Sequence, residues 1–109
     1  MSVTAQDIFS GMKENFNEDA AAGVSATIAY ELSGDFGGVW TLRVQDGALQ
    51  VDEGLPSGNV DATVRMDASD FVKVATGELN PMTAFMSGKI RISGDPMTAQ
   101  KFQDYFRRP

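Results

Sequence analysis

Four segments of this chain alternate apolar and polar residues with a period of two, and they constrain its folding more than any other feature. In "SATIAYEL" Ala26, Ile28, Tyr30 and Leu32 alternate with Thr27, Ala29 and Glu31, and in "GGVWTLRVQ" Trp40, Leu42 and Val44 alternate with Val39, Thr41 and Arg43. Asp46-Gly47 is a strong two-residue hairpin signal, after which "ALQV" returns antiparallel with Leu49 and Val51 inward. In "VDATVRMD" Val60, Ala62, Val64 and Met66 fall on one face and Asp61, Thr63, Arg65 and Asp67 on the other. Successive strand side chains point to opposite faces, so each segment predicts a strand with one buried face.

The rest of the chain has helical spacing. Thr4 and Asp7 form a capping box ahead of Ile8, Phe9, Met12 and Phe16, which predicts an amphipathic helix over 5–16. Gly11 within it costs about 1 kcal/mol against Ala, so packing or a close backbone approach must support the helix there. Phe71, Val74 and Ala75 stripe a short helix that Gly77 is placed to end. Asn80-Pro81 gives a cap and first-position proline to a second short helix, terminated at Gly88. "KIRIS" predicts a fifth strand with Ile90 and Ile92 inward, and Asp95-Pro96 starts a last helix carrying Ala99, Phe102 and Phe106. A sheet with one polar face cannot cover its own apolar face, so the helices must lie across it. The expected fold is α+β: two layers, with a five-stranded, mostly antiparallel sheet covered on one face by four to five helices, in one domain over 1–109.

Composition narrows function. The chain has no cysteine and no histidine, which removes thiolate chemistry, disulfides, the usual general base and the commonest metal ligand. A formal charge of -6 argues against nucleic acid, whose binding draws on Lys and Arg. No run approaches the length of a membrane span, and "MSVTAQDIFSG" lacks the basic and apolar regions of a secretory signal, so the expected location is cytoplasmic.

The motifs with catalytic overtones have simpler readings. "GDFGGVW" leads into a strand and not a helix N-terminus, so it reads as a hairpin connection and not a phosphate cradle. Asp52 and Glu53, or Asp67 and Asp70, lack the EF-hand spacing and read as solvated or capping carboxylates, with no metal site called for. No serine occupies a nucleophile elbow. No catalytic residue and no cofactor are expected.

What remains is the quality of the apolar residues: seven Phe and six Met, several of them on the helices that roof the sheet. Flexible Met and large rings suit a surface that adapts to varied guests, yet the same residues can fill a core. "NPMTAFMSGKIRISGD" poses that alternative directly, because Met82, Phe85 and Met86 have helical spacing under either reading.

The ordered set "GGVWTLRVQDGALQV", "DATVRMDASDFVKVATGELNPMTAFMSGKIRISGD" and a Phe-rich last helix resembles the sterol carrier protein family of nonspecific lipid-transfer domains. Its most specific part is Gly77-Glu78-Leu79, Pro81, Ala84-Phe85-Met86, Gly88-Lys89, Ile90, Ile92 and Gly94-Asp95. The resemblance implies an apolar tunnel between sheet and helices that holds acyl chains, acyl-CoA esters or sterols, with no chemistry of its own. By it, Trp40, Leu42 and Val64 form the floor, and Phe71, Val74, Met82, Phe85 and Met86 the roof. Phe9, Met12, Phe102, Tyr105 and Phe106 close the sides and ends, and Arg43 or Lys101 could serve an anionic headgroup at the mouth. A chain of a dozen carbons gains on the order of 10 kcal/mol gross at about 0.8 kcal/mol per buried methylene, so specificity is loose.

Two features depart from the family pattern. The chain ends "FRRP", not in a peroxisomal tripeptide, which fits a stand-alone prokaryotic member. The first helical segment carries Asp7, Glu14, Glu18 and Asp19 against Lys13, and so lacks the cationic face that would dock it on anionic bilayers. The expected partner is a small lipid, with transient membrane or enzyme contact and an oligomeric state the sequence leaves open. The alternative is an accessory or interaction module that supports a lipid-metabolising enzyme or forms a homodimer.

Overall fold

A computed structural model describes residues 3–54 and 58–102, apart from the side chains of Lys13, Asn15 and Gln100. The elements run α1 (Ala5–Asn15), β1 (Ser25–Ser33), β2 (Gly38–Gln45), β3 (Ala48–Glu53), β4 (Ala62–Asp67), α2 (Ala68–Ala75), α3 (Pro81–Met86), β5 (Arg91–Gly94) and α4 (Pro96–Phe102). The sheet order is β3-β2-β1-β4-β5. All neighbours pair antiparallel except β1 and β4, which are parallel, so the sheet is mixed.

Local chemistry sets the element ends. Thr4 and Asp7 form the capping box reciprocally: Thr4 N donates to Asp7 Oδ2 at 2.9 Å, and Asp7 N to Thr4 Oγ1 at 3.2 Å. Asp46 and Gly47 both take positive φ, 50° and 79°, which matches a primed turn to the twist of β2 and β3. Asn80 Oδ1 accepts from Met82 N and Thr83 N ahead of Pro81. Asp95 caps α4 through Met97 N and Thr98 Oγ1, and those bonds, the Thr98 hydroxyl first, hold its carboxyl below the usual range. Asp67 does the same for α2 through the hydroxyl and N–H of Ser69. A Cβ at Gly11 would meet nothing within 4 Å, so packing elsewhere on α1 supports that helix, not a close approach at Gly11.

Two boundaries differ from the expectation. Val60 lies ahead of β4, because Asp61 ties the chain to Thr27 twice, by its N–H to Thr27 O and by its carboxylate to Thr27 N. Lys89 and Ile90 lie ahead of β5, because both N–H groups still donate to Ala84 O and close the end of α3.

One sheet face is buried. Ile28 pairs with Leu42 and Ala62, and Tyr30 with Trp40 and Val64, in rows that run across the strands. α1 and α2 cover these rows through Phe9 and Phe71, and α4 packs on β4 and β5 with Ala99 and Phe102 buried. The opposite face carries Thr27, Glu31, Arg43, Arg65, Arg91 and Ser93, and no helix among the described residues lies across it. There Arg65 reaches Glu31 at 3.4 Å and Ser93 Oγ at 2.7 Å.

Candidate ligand-binding site

The interlayer space is organised by aromatic rings. Phe9 stacks on Trp40 at 4.6 Å between centroids and on Phe71 at 4.8 Å, so α1 drives one ring between the sheet and α2. Tyr30 meets Phe9 and Phe71 edge-on, each at 5.7 Å. Offset and edge-to-face pairs of this kind add about 0.5–1.5 kcal/mol beyond area burial.

Of the residues the sequence assigns to a tunnel, Phe9, Trp40, Leu42, Val64, Phe71 and Phe102 are buried in one cluster, with Met12 and Val74 partly buried against it. Tyr105 and Phe106 lie outside the described residues. Met82, Phe85 and Met86 are not core: they are 53%, 46% and 80% exposed. α3 meets the interior through Ala84, which is fully buried, and through Ile90 just beyond it. A helix of this length has two stripes, and the one bearing Met82, Phe85 and Met86 turns away from that contact. Of the two cations named for the mouth, Arg43 projects from the uncovered sheet face, since it alternates with buried Leu42 and Val44, and Lys101 is exposed on α4.

Sequence reasoning left Tyr30 out of the site. Its place on the buried alternation of β1 was visible, but nothing in the spacing marked it as a neighbour of Phe9 and Phe71. Burial pushes its phenol up to about 12 from an ordinary 10.0. Below the ordinary value the phenol is neutral folded or unfolded, so its contribution is fully present. As pH rises through the folded value the unfolded chain is favoured, and about 2–3 kcal/mol is lost. Denaturant unfolding of wild type and Tyr30→Phe, at about pH 9 and about pH 12, should show an extra alkaline loss in wild type alone.

Trp40 supplies the polar exception. Its Nε1 is buried with no hydrogen-bond partner among the described residues, a state that costs about 1–3 kcal/mol. No group of three or more metal-ligating side chains occurs among the described residues. An open depression of about 530 Å³ lies not between the layers but at the far end of the uncovered face, lined by Glu31, Gly38, Arg65, Asp67, Lys89 and Arg91 among others. No helix among the described residues is long and apolar enough to cross a membrane.

Comparison with known proteins agrees with this architecture. The model of the SCP-2 sterol transfer family matches residues 6–107. The chain is 37% identical over 98 residues to hydroxysteroid dehydrogenase-like protein 2 of Xenopus tropicalis, covering 90% of this chain and 24% of that protein. It thus spans about a quarter of the length of the curated relatives it matches. Among solved structures, sterol carrier protein 2 from Yarrowia lipolytica, in its apo form, superposes with a TM-score of 0.69 at 21% identity, over 91% of this chain and 86% of that one. The stereoselective inverting sec-alkylsulfatase Pisa1 from Pseudomonas sp. contains the same fold, with a TM-score of 0.85 at 20% identity over 98% of this chain and 17% of that one.

Proposed function

Because this chain belongs to the SCP-2 sterol transfer family, we propose that it binds an apolar lipid between its sheet and its helices and carries it without chemistry of its own. The ligand class is a fatty acid, acyl-CoA, sterol or isoprenoid-like molecule, and residues 1–109 act as one lipid-binding domain. The observation that carries this reading is the exposed stripe of Met82, Phe85 and Met86. Phe9, Trp40 and Phe71 stack on one another without them, so these three side chains are not needed to complete a core. Large, flexible and apolar, they gain by being covered, at about 0.8 kcal/mol for each methylene a guest removes from water. A hydrogen-bond acceptor on the guest would also satisfy Trp40 Nε1.

Trp40 is the sole tryptophan and is 4% exposed, so its emission reports on the interior without a label. Titration with a long-chain fatty acid should change that emission saturably. The Met82→Ser and Phe85→Ser variants should melt like wild type and bind about tenfold more weakly. An emission that never responds, or affinities that ignore both substitutions, would contradict lipid binding at this site.

A second reading is favoured by one observation: the chain matches only 24% of the dehydrogenase-like relative and 17% of the sulfatase. A domain of this kind can accompany an enzyme, presenting lipid to a catalytic partner.

A further inference from the structure

Trp40 is the one side chain among the described residues with a buried polar atom and no hydrogen-bond partner for it, and its surroundings fix what kind of partner fits. An indole N–H donates in the plane of its ring and never accepts, so the fitting group is an acceptor. Phe9 stacks on the ring at 4.6 Å and 18° from parallel, which covers the face and not the edge from which the N–H donates. The six-membered end rests against Gly38, where a Cβ would come within 3.2 Å of Cη2 and 3.3 Å of Cζ3 but 3.8 Å from Cζ2, on the nitrogen's side. Phe9 and Gly38 thus hold the ring and leave its donor unused.

The acceptor must also be uncharged. Among the described residues the buried cluster between sheet and helices contains no charged side chain, and the one buried polar residue, Thr41, lies on the other sheet face and donates to Gly54 O. Beside Trp40 in the register, Tyr30 has its phenol raised by burial alone, so this layer disfavours ionisation of whatever enters it. A carboxylate or phosphate placed here without a counter-charge costs several kcal/mol, whereas a hydroxyl does not meet that penalty.

The register gives the direction in which the remainder of a guest runs. The buried row that begins at Trp40 continues through Tyr30, Val64 and Ile92 to the β5 edge, where Ile90 leads out of α3. Three strand spacings of about 4.8 Å separate its ends by about 14 Å, which an extended hexadecyl chain spans.

We propose that the guest lies across this row head inward, with an uncharged head such as the hydroxyl of a long-chain alcohol accepting from Trp40 Nε1, and its hydrocarbon end covered by Met82, Phe85 and Met86. The proposal deepens the carrier reading and rests on it. Trp40 becomes a specificity-determining residue, because a guest without an acceptor leaves its buried donor unpaired. A fatty acid meets the same donor through the carbonyl of its neutral form. An acyl-CoA enters only with its head outside and leaves the donor unmet.

The donor is also the sole tryptophan, so quenching of its emission locates the head of a bound guest. Wild type is titrated with hexadecanol brominated either at the carbon beside the hydroxyl or at the terminal methyl, with binding of each followed separately by calorimetry. The first should quench Trp40 saturably, and the second should bind as well but leave the emission largely unquenched. Hexadecyl phosphate, with its charged head, should bind about tenfold more weakly or worse. Trp40→Phe should lose about tenfold more affinity for hexadecanol than for hexadecyl chloride. The brominated pair needs no variant, so its result stands even if Trp40→Phe does not fold. Stronger quenching from the terminal bromine, equal quenching from both, or no quenching by a bound alcohol overturns the head-inward arrangement and leaves lipid carriage standing. If calorimetry shows no binding of either alcohol or of fatty acid, the carrier reading fails and this inference with it.

Discussion

Phe9→Ala is expected to lower the unfolding free energy by about 3–5 kcal/mol, the range for truncating a buried aromatic ring. Phe9 is 2% exposed and, among the described residues, is the one ring in contact with Tyr30, Trp40 and Phe71 together. Its removal leaves a void bounded by three rings that cannot all collapse into it, since Tyr30 and Trp40 are fixed by the β1–β2 register. It also removes the principal anchor of α1, whose other large apolar residues Ile8 and Met12 are only partly buried and whose buried Ala5 is small. Marginal stabilities of about 5–15 kcal/mol leave little room for such a loss. Chemical denaturation should show the midpoint falling sharply, with Phe9→Leu losing much less. A variant within about 1 kcal/mol of wild type would mean that the ring stack does not join the layers.

Gly94→Ala is the second large effect, and its cause is backbone. Gly94 holds φ at +86°, where an alanine is strained by about 1–2 kcal/mol. A Cβ there would also sit 2.6 Å from Asp61 O and 3.0 Å from Ala62 Cα, neither of which is the yielding end of a side chain. Asp61 O accepts from Asp95 N at 2.9 Å, so relief of the clash must pull β5 from β4 or break the bond that leads into α4. A total loss of about 2–4 kcal/mol is expected. Amide exchange should rise first in β5 and α4. A melting temperature equal to wild type would contradict this account of the β4–β5 junction.

Much of this fold was legible because the decisive signals are local. Thr4 with Asp7, Asp46-Gly47, Asn80-Pro81 and Asp95-Pro96 each act within four residues, and each forms the contact its chemistry dictates. Alternation likewise identified the buried face of β1, β2 and β4. The parallel pairing of β1 with β4 was not legible, since it joins segments more than thirty residues apart, and period-two patterns carry no partner. The site was half legible for a related reason. In α3 both stripes are apolar, Ala84 on one and Met82, Phe85 and Met86 on the other, so spacing alone could not say which faces inward. The small residue won because the chain re-enters the sheet through Ile90 immediately after the helix, which presses Ala84 and not the bulky stripe onto the core.

The most direct test of lipid carriage is native mass spectrometry of the protein purified without delipidation, followed by addition of a long-chain fatty acid. The account predicts co-purified organic-extractable adducts of a few hundred daltons that exchange for the added acid in a one-to-one complex, and weaker retention in Met82→Ser and Phe85→Ser. A bare mass that takes up neither fatty acid nor acyl-CoA would contradict it, leaving Met82, Phe85 and Met86 as a surface for a protein partner.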